Sequence, residues 1–257
     1  MLVEGMSVSE INTAIFRDVS IFLNSSTQKR IEHDYVERRK KMKIDRWDNY
    51  PVFTTVKSKT KNIWILRTER DHDVKSVKST DNVSSSYLTY YHTPTGYRVF
   101  VPCRNNNLLV YNGHLFTRYR ERMHLMVDDP ITIIKLFFSN NFNKLVKEFD
   151  KDENGDFPFV SYEKEGYLLG KVQELPCKTK WFVHKTFIPI STANHQHIDT
   201  ANNIKYETAK ALLDFKLKYT DELSYQSKEC CHMYGFLDKE ITVDFLKLLI
   251  ADMEKHN

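Results

Sequence analysis

The spacing of apolar residues changes period four times along the chain, and the order of those changes restricts the fold more than any other feature. Ile11, Ala14, Ile15, Val19 and Phe22 recur at helical spacing, and residues 7 to 45 read as helix. From Tyr50 the period falls toward two in "VFTTVKS", "NIWILRTE", "YLTYYHT", "YRVFVPC" and "NLLVYN". It becomes helical again from "NGHLFTRYRERM" through "ITIIKLFFSNNF". It then returns to two in "FPFVSYE", "GYLLGKVQEL" and "WFVHKTFIPI", and is helical once more from about residue 200. Helices, strands, two helices, strands, helices is a segregated order, not a βαβ alternation. It predicts an α+β fold in which antiparallel sheet is packed by two central helices, with helical additions at both ends. The expected divisions are a helical segment over 1–48, an α+β core over 49–200 and a helical segment over 201–257, packed as one unit.

Local signals mark the boundaries. "SVSE" is a capping box, with Ser7 as N-cap and Glu10 three residues on. "NSS" at 24–26 breaks the first helical stretch. The second, "TQKRIEHDYVERRKKMK", has Ile31, Tyr35 and Val36 as nearly its only apolar anchors, so most of its surface is expected in solvent. "DHDVKSVKSTDNVSSS", residues 71–86, lacks large apolar residues and reads as loop. Pro94 and Gly96 mark a hairpin turn. Asp128 or Asp129 caps a helix that has Pro130 in its first turn.

Composition removes several function classes. Seven glycines in 257 residues, with no G-x-G-x-x-G and no Walker-type run, exclude the Rossmann and P-loop phosphate cradles. A net charge of +4 and a pI near 8.7 are milder than those of a dedicated nucleic-acid domain, so anion binding has to come from local clustering. No run of about 18 apolar residues predicts a membrane span. The opening "MLVEGMSVSE" lacks the pattern of a secretory signal. Cys103, Cys177, Cys230 and Cys231 show no C-x-x-C spacing, so free thiols in a reducing cytoplasm are expected, and no cofactor.

The stretch "NGHLFTRYRERM", Asn112 to Met123, carries the densest chemistry. At about 100° per residue, His114, Arg118 and Arg122 fall at about 0°, 40° and 80°. Leu115, Phe116, Tyr119 and Met123 occupy the buried arc. Arg120 falls on the other flank, and Glu121 lies within reach of Arg118 and Arg122. Arginine binds phosphate oxygens bidentately, and a helix start beside His114 attracts anions. The same pattern also describes border arginines covering a core edge, paired with Glu121.

A helix with H-x-x-x-R-x-x-x-R, then the apolar helix "ITIIKLFF", then a sheet ending in "WFVHKTFIPI" resembles the metal-independent ribonuclease fold of RelE-like toxins, barnase and colicin-type ribonuclease domains. The similarity runs over about residues 110–190. It implies a hydrolase that cleaves RNA phosphodiesters without metal. His114 would be general acid or base on a ribose 2′-OH or leaving 5′-oxygen, and Arg118 and Arg122 would stabilise phosphorane-like charge. Lys185, Thr186 or His184 would complete the site. The implied partner is RNA or another phosphate-bearing ligand. Those domains are compact, whereas this chain adds long helical segments and an upstream hairpin sheet.

Other clusters suggest alternatives. Arg38, Arg39, Lys40 and Lys41, near Trp47 and Tyr50, together with Arg120, are candidate nucleic-acid contacts. His195, His197 and Asp199 point to one side of an extended segment. They define a metal-dependent hydrolase as the rival enzyme, with His114, His184 or Cys177 as a further ligand. "DKDENGD" at 150–156 copies half an EF-hand loop, but Ser161 stands where its final Glu belongs, and Asn154-Gly155 favours a hairpin turn. "ECCH" at 229–232 reads as a half-buried helix. A third class is a non-catalytic protein that docks a partner, or a second copy of itself, through its terminal helices.

Overall fold

A computed structural model describes residues 1–41, 51–70, 83–142, 145–153, 155–175 and 179–192, together with Lys247, Ile250, Ala251 and Glu254. Trp47, Tyr50, Cys177, His195, His197, Asp199 and the "ECCH" segment lie outside the described residues. So do residues 201–246 of the expected C-terminal helical segment. Within that segment, Lys247, Ile250, Ala251 and Glu254 are helical.

The chain is α+β. Helices α1 (Val8–Phe22) and α2 (Ser25–Lys41) precede strands β1 (Val52–Lys57), β2 (Ile63–Arg70), β3 (Val83–Thr93), β4 (Gly96–Pro102) and β5 (Leu108–Tyr111). Helices α3 (Gly113–Arg122) and α4 (Pro130–Asn140) follow. Then come β6 (Leu145–Glu148), β7 (Phe157–Tyr162), β8 (Gly166–Glu174) and β9 (Lys180–Pro189). The nine described strands form one sheet in the order β1-β2-β3-β4-β5-β9-β8-β7-β6. Two antiparallel meanders, β1–β5 and β6–β9, thus meet edge to edge. The β5–β9 seam is parallel, pairing Leu108 with Trp181 and Tyr111 with His184. The expectation of antiparallel pairing therefore needs one correction. Between β5 and β9 the chain crosses α3, α4 and a whole meander, a connection long enough to bring β9 back in the same direction.

Helices cover both faces. On one face α1 turns Ile11, Ile15, Val19 and Phe22 onto Trp64, Leu66, Phe100, Val110 and Trp181, and Ile31 of α2 joins them. On the other, Leu115, Phe116 and Tyr119 of α3 and Ile133, Ile134, Phe137 and Phe138 of α4 pack on Ile65, Val99, Tyr111, Leu168 and Phe187. Strand alternation explains the division, since Trp64 and Leu66 serve one face while Ile65 between them serves the other.

The caps expected from sequence form. The Ser7 amide donates to Glu10 Oε2 at 2.8 Å, and Ser7 Oγ accepts from the Glu10 amide at 3.3 Å. Asp129, rather than Asp128, caps α4 by accepting from the Thr132 amide at 2.9 Å. The expected loop over 71–86 ends earlier than its composition suggests. Val83 to Ser86 are strand, facing Arg70 to Arg67 of β2. Ladder bonds come from main chain, so small polar side chains suffice where a long partner strand is available.

Candidate functional site

The rotation of α3 is fixed by its buried arc. Leu115 and Tyr119 are at most 1% exposed, and Phe116 and Tyr119 pack edge-on against Phe137. Gly113 begins the helix flush against the β3–β4 turn, with backbone facing backbone at Gly96. His114, Arg118 and Arg122 consequently lie on the solvent side of the helix, and all three are exposed.

The stripe is linked within itself. Arg118 Nε donates to His114 Nε2 at 3.3 Å. The ring nitrogen is the acceptor in this contact. The same guanidinium reaches Glu121 Oε2 at 3.2 Å. Arg122 donates to the main-chain carbonyl of Phe187 in β9. At the other end of the helix the Asn112 amide donates to the His184 carbonyl at 3.4 Å. Helix α3 is therefore fastened along the second half of β9, from His184 to Phe187.

Between those fastenings β9 carries a bulge. Gly170 of β8 faces His184 and Leu169 faces Thr186, which leaves Lys185 as the extra residue. Lys185 is exposed. Thr186 alternates with Phe187, whose ring lies in the α3–α4 core, so Thr186 sits on the opposite face of the sheet and away from the stripe. His184 is a core residue. It is 0% exposed, its ring stacks on Tyr111 with centroids 4.4 Å apart, and the Phe159 ring meets it edge-on. Its Nδ1 lies 3.3 Å from the Val110 carbonyl oxygen. His114, Arg118 and Arg122 thus share one face of α3, Lys185 is exposed in the adjoining bulge of β9, and Thr186 and His184 are placed elsewhere.

The other basic candidates separate from this surface. Arg120 pairs with Asp128 at 2.8 Å on the far flank of α3. There it borders a cleft of about 140 Å³ whose walls include Tyr97, Phe116, Pro130 and Ile134. That volume falls below the roughly 300 Å³ at which small-molecule pockets begin. Arg39 of α2 is buried and donates to Tyr35 Oη at 3.0 Å. Lys40 pairs with Glu37 at 2.8 Å, and Arg38 and Lys41 are exposed. Because α2 joins the core on the α1 face, this cluster lies across the sheet from α3.

Two carboxylate clusters escaped the sequence reading. Asp18 in α1 is 0% exposed and accepts from Thr60 Oγ1, Asn62 Nδ2 and Trp64 Nε1 at 2.8 to 3.0 Å. Burial alone pushes its carboxyl up, but donors from Ser58, Asn62, Trp64 and Thr60 outweigh it and hold the group below its usual range. One signal was present, since an Asp lies inside the apolar stripe between Ile15 and Phe22. Glu165, in the turn between β7 and β8, accepts from Tyr119 Oη and Asn141 Nδ2 at 2.7 Å and from Asn140 Nδ2 at 2.9 Å. Burial and this carboxylate push the Tyr119 hydroxyl well above its ordinary range. Both clusters fasten helices to sheet turns, and every named donor is satisfied.

The "DKDENGD" segment forms a turn. Gly155 adopts φ 76°, its amide donates to the Asp152 carbonyl, and Asp156 pairs with Lys171 at 2.8 Å. Among the described residues no group of three or more His, Cys, Asp or Glu side chains is placed to hold a metal ion, and no helix is long and apolar enough to cross a membrane. No family profile, curated protein or solved structure matches the chain.

Proposed function

We propose that the protein engages the phosphodiester backbone of RNA through the α3–β9 surface and cleaves it without metal, as a ribonuclease-like hydrolase. The observation that carries this reading is the fastening of α3 to β9. The Asn112–His184 and Arg122–Phe187 bonds hold the helix that carries His114, Arg118 and Arg122 against the stretch of β9 in which Lys185 is exposed. Three cationic side chains and an imidazole then face solvent from two adjoining elements.

In this reading Arg118, Arg122 and Lys185 take non-bridging phosphate oxygens, Arg as a planar fork and Lys as a point charge. His114 exchanges a proton with the ribose 2′-OH or the leaving 5′-oxygen. His114, Arg118 and Arg122 are exposed, and an extended single strand fits exposed side chains better than a buried mononucleotide does.

The test is cleavage and binding of single-stranded RNA by purified protein in EDTA. His114→Ala is expected to lower the cleavage rate about 10²- to 10⁴-fold while leaving binding within a factor of two. Arg118→Ala is expected to weaken both. Cleavage and binding untouched by either substitution refute the proposal.

A further inference from the structure

On α3 the Arg118 guanidinium already meets both an imidazole and a carboxylate. The Arg118 guanidinium spends its Nε edge on His114 and turns a terminal nitrogen to the Glu121 carboxylate, 3.2 Å away. Neither side chain of the ion pair is buried, Arg118 being 44% and Glu121 47% exposed, so solution ions reach both. The carboxylate comes from the same helix, three residues on, and no rearrangement of α3 is needed to release it. Among the described residues no carboxylate pairs with Arg122, which is held instead by a neutral carbonyl.

We propose that Glu121 is an internal stand-in for phosphate, and that it sets the site to select a polynucleotide backbone over a single free anion. The inference rests on the reading of the α3–β9 surface given above. A lone phosphate has to displace a carboxylate whose effective concentration beside Arg118 is about millimolar or higher, because the two share one helical turn. A polynucleotide delivers several phosphates at once. Those that settle on Arg122 and Lys185 hold the chain while the next displaces Glu121 from Arg118. Release frees the guanidinium for phosphate, and Arg118 Nε must also leave His114 Nε2 before that lone pair can take a proton.

The experiment measures binding of a fluorescein-labelled, 2′-O-methylated single-stranded RNA, which lacks the hydroxyl needed for cleavage, by anisotropy across a salt series. Glu121→Gln is expected to tighten binding about two- to fivefold at low salt, the range of an exposed ion pair. It is also expected to steepen the salt dependence by about 0.7 in log–log slope, as one more cation meets phosphate. Glu153→Gln, an equal charge change at an exposed site on the β6–β7 turn, is the control and is expected to change neither. The gain is expected to vanish when Arg118→Ala is added to Glu121→Gln. If Glu121→Gln behaves like Glu153→Gln while Arg118→Ala weakens binding, the stand-in role is refuted and the RNA surface survives. A gain that persists without Arg118 also refutes the stand-in. Failure of both the wild-type chain and Glu121→Gln to bind refutes the surface and the stand-in together.

Discussion

A Cβ on Gly113 would lie 2.5 Å from the Thr95 carbonyl oxygen and 2.9 Å from the Gly96 Cα, both main-chain atoms that cannot turn aside. Gly113→Ala should therefore cost about 1–3 kcal/mol, visible as a lower urea midpoint at unchanged m-value. Asp18 poses the opposite problem, a charge inside the core that four side-chain donors hold. Asp18→Asn leaves several of those donors facing another amide. At neutral pH it should destabilise the fold by about 1–3 kcal/mol. The carboxyl is held below its usual value in the folded state, so its contribution is fully present above the ordinary carboxylate range. It is lost as pH falls through the lowered value, and the gap between wild type and variant should close there. Urea titrations from pH 7 down to pH 3 will show whether it does. Gly113 stands beside the helix start and Asp18 interrupts an apolar stripe, but the sequence does not say what holds Asp18 there. The partners of Asp18 stand forty or more positions away, and no local pattern ties them to α1.

Helix α3 owes its position to its two ends. Its C-terminal turn closes with the Leu125 amide on the Arg120 carbonyl, which puts His124 at φ 51°, a backbone region that glycine enters without strain. His124→Gly should raise stability by roughly 1 kcal/mol, visible as a higher urea midpoint. Tyr119→Phe removes one of three side-chain donors to Glu165. It should cost about 1 kcal/mol and speed amide exchange at the C-terminal turn of α4, where Asn140 and Asn141 share that carboxylate. The helical wheel had shown which way His114, Arg118 and Arg122 point, because a ten-residue amphipathic helix has one rotation that buries Leu115, Phe116 and Tyr119. It did not show the bulge at Lys185 or the turning of Thr186 to the other face. Those depend on register with β8, which is a property of two strands and is written in neither alone.

For the molecule as a whole, the segregated order of periods announced α+β and the two central helices. The single continuous sheet and its parallel seam were not legible, since nothing local records that β9 settles beside β5. Helix α1 is half of one core layer, not an appendage. Deleting residues 1–23 bares Trp64, Phe100 and Trp181, and the truncated chain should bind a hydrophobic dye and lose its cooperative urea transition. The seam has a consequence in time. Val110 and His184 touch across 74 residues of sequence, whereas each strand within β1–β5 or β6–β9 pairs with its immediate predecessor. Contacts of short range close early, and those that need a long loop close late. On the ribosome, β1–β5 emerges with its own partners while its β5 edge stays bare until β9 is made. Until then that edge is open to any other strand, a second nascent chain included, so the seam marks the moment at which the chain ceases to be prone to misassociation.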